Sequence, residues 1–202
     1  MRKVVTRVGR AIISVFASAL AITTACRSGS DNCFPLELGS RWTYNATYGS
    51  SQGTFTISVT EVDGIRHFAK GVTQGDVSLQ DIFPFCSLDN DTNCFYTVSG
   101  DTIWLGSKDY VAPTLVLVQP VSVGVVWRYP HWSDYDSAQV LSKVDVSVPA
   151  GTYTGCYKIG YGYYGSGEAS CYVWYAPGVG AVKGETSWQP GPRFELVSAD
   201  LP

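Results

Sequence analysis

Few side chains in this 202-residue chain have the types and spacings that chemistry requires. Asp89, Asp91 and Asn93 have the D-x-D-x-N start of a calcium loop, which works by gathering hard oxygen ligands. The glycine due next is Cys94, and Gly100 stands where the twelfth-position glutamate belongs, so a polar hairpin loop accounts for the same residues. His67 lies in IRHFAK and His131 in YPHWSDYD, the latter near Asp134 and Asp136. A histidine beside carboxylates can act as a base or a metal ligand. No serine sits in G-x-S-x-G, no Cys-x-x-Cys is present, and the two histidines are isolated from each other. Glu168 and Glu185 could serve glycoside hydrolysis, which needs two carboxylates at a fixed separation, but no spacing singles them out. The chain is therefore expected to have no catalytic residue, no metal and no cofactor, and not to be an enzyme.

The six cysteines carry a different chemistry. Cys156 and Cys171 fall on two strand-like runs joined by a glycine-rich segment. A turn centred near Tyr163 and Tyr164 would set them opposite each other, with Tyr153 opposite Trp174, close enough for a disulfide. Such a bridge would stabilise the fold by about 2–4 kcal/mol. Cys86 and Cys94 would close SLDNDTN as a second bridge, with Cys33–Cys86 and Cys26–Cys33 as rival pairings.

The six tryptophans and thirteen tyrosines can fill a β core or line a ligand cleft. Trp42, Trp127 and Trp174 sit inside strand patterns and read as core. Trp132 and Trp188 lie near loops and are the candidate ligand-binding residues.

The elements that must position these groups are strands. Gly53 to Val62 alternates Phe55, Ile57 and Val59 against threonines and Ser58, the pattern of a half-buried strand. Asp63-Gly64 and Ser99-Gly100-Asp101 are hairpin turns. Further strands are expected at 36–48, 65–72, 95–98, 102–105, 114–118, 125–129, 138–148 and 193–197. The stretch 77–85 is ambiguous because of Pro84. Outside the N-terminus no helical period occurs, and turn signals recur roughly every ten residues, the signature of an all-β antiparallel sandwich, barrel or strongly curved sheet. One echo runs through the chain: PLELGSRWTY (35–44) and PVSVGVVWRY (120–129) share P-x-x-x-G-x-x-W-x-Y. In each, a glycine turn would launch a strand whose Trp and Tyr share one face.

The first 25 residues combine a basic start, MRKVVTRVGR, with the apolar run AIISVFASALAI and small residues before Cys26. That is the plan of a secretory signal, and the apolar run is shorter than the ~20 residues a membrane-spanning helix needs. The chain holds 14 basic and 17 acidic residues. Four of the bases, Arg2, Lys3, Arg7 and Arg10, fall in this segment, leaving ten against 17, or about −7. A nucleic-acid partner, which draws on clustered Lys and Arg, is excluded on that balance. TTA-Cys26 resembles the lipobox of bacterial lipoproteins, with Thr23 where that motif has an aliphatic residue. The resemblance implies lipid attachment at Cys26, followed by a short polar tether, RSGSDN; ordinary signal cleavage near Ala25 is the alternative.

Three motifs, FPLELGSRWTY, VSVPAGTYTGCYKI and VWYAPGVGAVKGE, together resemble a family of uncharacterised bacterial envelope lipoproteins with a β-rich domain of unknown function. The resemblance covers most of residues 34–200 and brings no catalytic residue with it. The expected organisation is a signal peptide at 1–25, a lipid-anchored tether at 26–33 and an antiparallel β domain at 34–202. The expected role is binding or structural, in the cell envelope, on the periplasmic or outer face of a bacterial membrane. Partners would be the membrane itself and an envelope protein or a hydrophobic small molecule. The alternative function is a carrier that holds a lipid-like ligand in a curved sheet.

Overall fold

The computed structural model describes residues 32–79, 82–85, 94–107, 113–131, 134–162 and 169–202. The fold is all-β, one antiparallel twelve-stranded sheet curled until it nearly closes into a barrel. The strands are β1 (Arg41–Tyr48), β2 (Ser51–Asp63), β3 (Arg66–Gly75), β4 (Cys94–Ser99), β5 (Thr102–Ser107) and β6 (Thr114–Val118). The second half comprises β7 (Val126–His131), β8 (Asp134–Val148), β9 (Gly151–Tyr161), β10 (Cys171–Ala176), β11 (Gly180–Thr186) and β12 (Arg193–Asp200).

Their spatial order is β6-β5-β4-β3-β2-β1-β12-β11-β10-β9-β8-β7. The sheet is thus two six-stranded meanders joined where the first strand pairs with the last, Arg41 opposite Asp200 through Thr47 opposite Arg193. The remaining edges, β6 and β7, share no ladder among the described residues, although their Cα atoms come within 8 Å. We call this break the seam.

Alternation along the strands explains which face is inside. Trp42, Tyr44 and Ala46 of β1 are buried, as are Phe55, Ile57 and Val59 of β2 and Phe194 and Leu196 of β12. Arg41, Asn45 and Arg193 face outward. Apolar-in and polar-out is the reverse of a barrel that spans a bilayer. The enclosed space is filled by aromatic rings and by two non-strand segments. Phe34 enters from the N-terminal side and packs on Trp42, Tyr96 and Tyr175 with ring centroids 5.1–6.0 Å apart. Phe85, from the segment after β3, meets Tyr44, Phe55 and Phe194 at 5.1–5.5 Å. The described residues of the ambiguous stretch 77–85 form no strand; Leu79, Ile82 and Phe85 are buried in the core.

Strand direction sorts the connections onto two ends. β1 runs away from the end where the described chain begins, and twelve antiparallel strands return the last residue to that end. This first end carries the tight turns at 64–65, 100–101 and 149–150, the 177–179 corner and the 119–125 connection. At the opposite end lie the 49–50 turn, the 187–192 connection and the strand ends that flank 76–93, 108–113, 132–133 and 162–170. Asn32 is pinned at the first end: its backbone oxygen accepts from Gly178 N at 2.8 Å, and its side-chain oxygen accepts from Gln119 Nε2 at 3.1 Å. Cys33, placed at the end of the tether by sequence, is buried beside Phe34.

The Cys156–Cys171 bridge expected from sequence needs correction. Cys171 stands opposite Tyr161, not Cys156, because the connection between β9 and β10 occupies 162–170. Five residues separate Cys156 from that position, about 17 Å along the strand and on the other face of the sheet. A disulfide tolerates at most about 7 Å between Cα atoms. Cys156 instead stands opposite Val144, and its Sγ donates to the Tyr153 carbonyl oxygen at 3.4 Å. Tyr153 pairs with Val146, and Trp174 with Lys158 and Lys183.

Candidate functional site

The three sequence motifs converge on one corner at the tight-turn end. Trp42 Nε1 donates to the carbonyl of Val179 at 2.6 Å, and Tyr44 Oη donates to that of Ala181 at 2.9 Å. Gly180, between them, has φ +110°, and a Cβ there would lie 3.3 Å from both Phe34 and Trp42 Nε1. Glycine is thus required on two counts, backbone conformation and space. Ala150 N, in the 149–150 turn, donates to Leu196 O at 2.9 Å. Buried polar groups need partners, and these bonds supply them. The convergence is scaffold: it locks the first meander onto the last three strands. Burial pushes the Tyr44 hydroxyl well above the ordinary phenol value, and neighbouring Tyr175 and Tyr153 add to the shift. Tyr175 moves in the same direction, again chiefly through burial, with an opposing contribution from its 3.2 Å hydrogen bond to Tyr161.

The echoed motif builds the same local structure twice. Gly39 and Gly124 have φ of +91° and +90°. Gly39 N donates to Val59 O, Val59 N to Ser40 O, and Ser40 N to Glu37 O. Gly124 N donates to Val140 O, Val140 N to Val125 O, and Val125 N to Ser122 O. Trp42 and Trp127 then both turn inward and are buried. Their indoles fare differently: Trp127 Nε1 is buried with no hydrogen-bond partner among the described residues.

At the loop end, Tyr48 and Trp188 meet edge to face, centroids 6.2 Å apart, each nearly half exposed. Pro190 lies within 4 Å of where a Cβ on Gly49 would stand. Beside this pair, on the outer face, a groove of about 250 Å³ is lined by Asn45, Thr47, Lys183, Glu185, Arg193 and Glu195. Lys183 Nζ sits 4.0 Å from Glu185 and 3.8 Å from Glu195 and also over the Trp174 ring at 5.4 Å. Trp174 is covered on its other flank by Lys158, at 4.8 Å, so its π face is already occupied by cations. Glu185, a candidate acid in the sequence, is thus engaged by Lys183. The aromatic pair is the open feature: two amphipathic rings held by a turn and a loop and exposed to solvent.

The other sequence candidates are dispersed. His67 Nδ1 lies 2.6 Å from the Leu36 carbonyl, at the tight-turn end, far along the strands from Trp188. It borders a depression of about 180 Å³ with Glu37, Asp101 and Gln119. His131 ends β7, paired with Asp134. Cys94 is buried at the start of β4. Cys26, Cys86, Asp89, Asp91, Asn93, Trp132 and Glu168 lie outside the described residues. Tyr48 was missed as a companion of Trp188, because their contact joins the end of β1 to a loop 140 positions further along and leaves no pattern in sequence.

No family model matches the chain, and no curated protein matches it. It is similar to a crystal structure from Parabacteroides distasonis ATCC 8503, whose protein is provisionally described as a lipoprotein. That likeness has a TM-score of 0.38 and 15% identity, and covers 83% of this chain and 98% of the other.

Proposed function

We propose that the protein is a non-enzymatic lipoprotein of the bacterial cell envelope, tethered through Cys26, that presents the loop end of its sheet to an envelope partner. The supporting observation is the placement of Asn32. It is fixed at the tight-turn end, six positions after Cys26, and six residues span at most about 20 Å. A lipid on Cys26 holds the tight-turn end against the membrane. Tyr48 and Trp188 then face away from it. Exposed amphipathic aromatics are the residue types that anchor protein interfaces. The carrier alternative draws no support from the interior, where Tyr44, Phe55, Phe85 and Phe194 pack on one another and Phe34 packs on Trp42, Tyr96 and Tyr175.

An acyl probe should label the wild type and not Cys26→Ala; equal labelling removes the lipoprotein reading. A photocrosslinker at Trp188 should then capture a protein, and one at Ile65, exposed in a tight turn, should capture lipid. The reverse pattern would invert the orientation and sink the proposal.

A further inference from the structure

We infer that the tight-turn end carries a second membrane anchor: the side chains of Leu38, Ile65 and Val123 enter the upper acyl layer of a lipid bilayer. The inference rests on the lipoprotein reading for the side on which the membrane lies.

Turn tips ordinarily carry Gly, Asn, Asp, Ser or Pro. At this end three of them carry branched aliphatic side chains instead. Leu38 is 59% exposed, Ile65 57% and Val123 55%. Leu38 and Val123 occupy the same position of the echoed motif, the residue before the glycine of positive φ. Ile65 follows Gly64, at φ +58°, in the β2–β3 hairpin. None of the three hangs on a loose segment. Gly39 N straps the turn at Leu38 to β2, and Gly124 N straps the turn at Val123 to β8. The Ile65 carbonyl accepts from Val98 N at 2.8 Å. The fold thus holds this apolar surface in water, at a cost that grows with its area.

Placement selects the occupant. One exposed aliphatic residue is ordinary on any surface. Here β1 and β7 lie six strands apart in the twelve-strand order, so Leu38 and Val123 stand on opposite sides of the nearly closed sheet. Ile65 lies between β2 and β3. A ligand that fits a pocket cannot touch points so far apart, whereas a broad surface can. Asn32 crosses the same end, bonded to Gly178 and Gln119, and Cys26 stands six positions before it. The broad surface within reach is therefore the bilayer that the tether enters. Glu37 precedes Leu38, Asp63 lies two residues before Ile65, and Asp101 occupies a neighbouring turn; all three are exposed. Carboxylates avoid the hydrocarbon, so they hold the insertion shallow.

The test uses the acylated chain purified from cells and reconstituted into phosphatidylcholine vesicles. A fluorescent amino acid is placed in turn at 38, 65 and 123 and, as a control, at 72. Val72 is exposed on β3, about 23 Å along the strand from Ile65. Acyl chains brominated near the headgroup should quench most of the emission at 38, 65 and 123. Chains brominated at their far end should quench little, and neither should quench position 72. The combined variant Leu38→Ser/Ile65→Ser/Val123→Ser should pass from donor to acceptor vesicles at least about tenfold faster than the wild type. Tips that escape quenching in a chain whose Cys26 acylation is verified by mass overturn the inference and leave the lipoprotein reading standing. Equal quenching at 72, or unchanged transfer of the serine variant, also overturns it. So does failure of a water-soluble quencher to reach the tips before vesicles are added, because a protein or a second copy then covers them. Tips quenched in a chain without acylation remove the tether and keep the anchor.

Discussion

The starts of β1 and β7 are the same device in two settings. Each has a glycine near φ +90°, the same three backbone hydrogen bonds and an inward tryptophan. At β1 the indole reaches the 177–179 corner; at β7 the turn in the corresponding place of the other meander is the two-residue link 100–101, and the indole reaches no acceptor among the described residues. The local sequence launches a strand and aims a ring. It does not decide what receives the ring's proton, because the receiver belongs to a segment more than a hundred residues away in the case of Trp42. One junction is closed by a ladder and satisfied; the other has no ladder among the described residues, and behind it the Tyr161 hydroxyl bonds the Val116 carbonyl of β6.

The comparison breaks most readily at the two indoles. Trp42→Phe removes the hydrogen bond to the half-buried Val179 carbonyl together with ring volume, and should cost about 2–3 kcal/mol in urea unfolding. Trp127→Phe removes the same ring volume but a donor with no partner among the described residues, so it should cost less, about 1 kcal/mol. Equal losses would mean that Trp127 finds an acceptor in solution.

Base titration sharpens the same contrast. Tyr44 belongs to the closed junction, and Tyr175 bonds to the tyrosine behind the seam. Both hydroxyls are raised by burial, so the folded chain holds these protons more tightly than the unfolded chain. Their stabilising contribution is complete below the unfolded value near 10 and declines as pH rises above it, by up to about 1.4 kcal/mol per tyrosine per pH unit. Phenolate absorbance should therefore rise together with loss of the fold. Ionisation of one tyrosine before unfolding, abolished by Tyr175→Phe, would show that the seam admits water on its own.

The glycines test the shared half of the device. Gly39→Ala and Gly124→Ala face open space, so neither gains a clash and both strain only the backbone. Each should cost about 1 kcal/mol, and the same amount, in thermal unfolding. The echo that predicts this equality was legible in the sequence, as were the alternating strands and the turns at Gly64 and Gly100, because period and φ are local properties. The β9–β10 register was not. Gly160, Gly162, Gly165 and Gly167 offer several places to turn, and only the burial of Tyr161 against Phe83 and Val116 selects one. The loop-end pair was half legible: Trp188 stands in an obvious loop, but Tyr48 ends a strand whose alternation hides it.

The smallest expected effect concerns the ladders themselves. Amides of β1 and β12 are bonded into a continuous sheet and open only with it, whereas β6 and β7 each have one ladder among the described residues. Native-state hydrogen exchange should therefore run faster in Thr114–Val118 and Val126–Arg128 than in Arg41–Thr47 and Arg193–Ala199, by a local opening free energy below the global one. The prediction concerns inward residues as well. Val116 and Leu117 are completely buried, so burial alone would protect them as well as it protects Trp42 and Leu196. Equal protection would mean that side-chain packing, not the ladder, sets the opening cost at both junctions. Faster exchange at the seam would mean that an identical strand start is only as stable as the neighbour it pairs with.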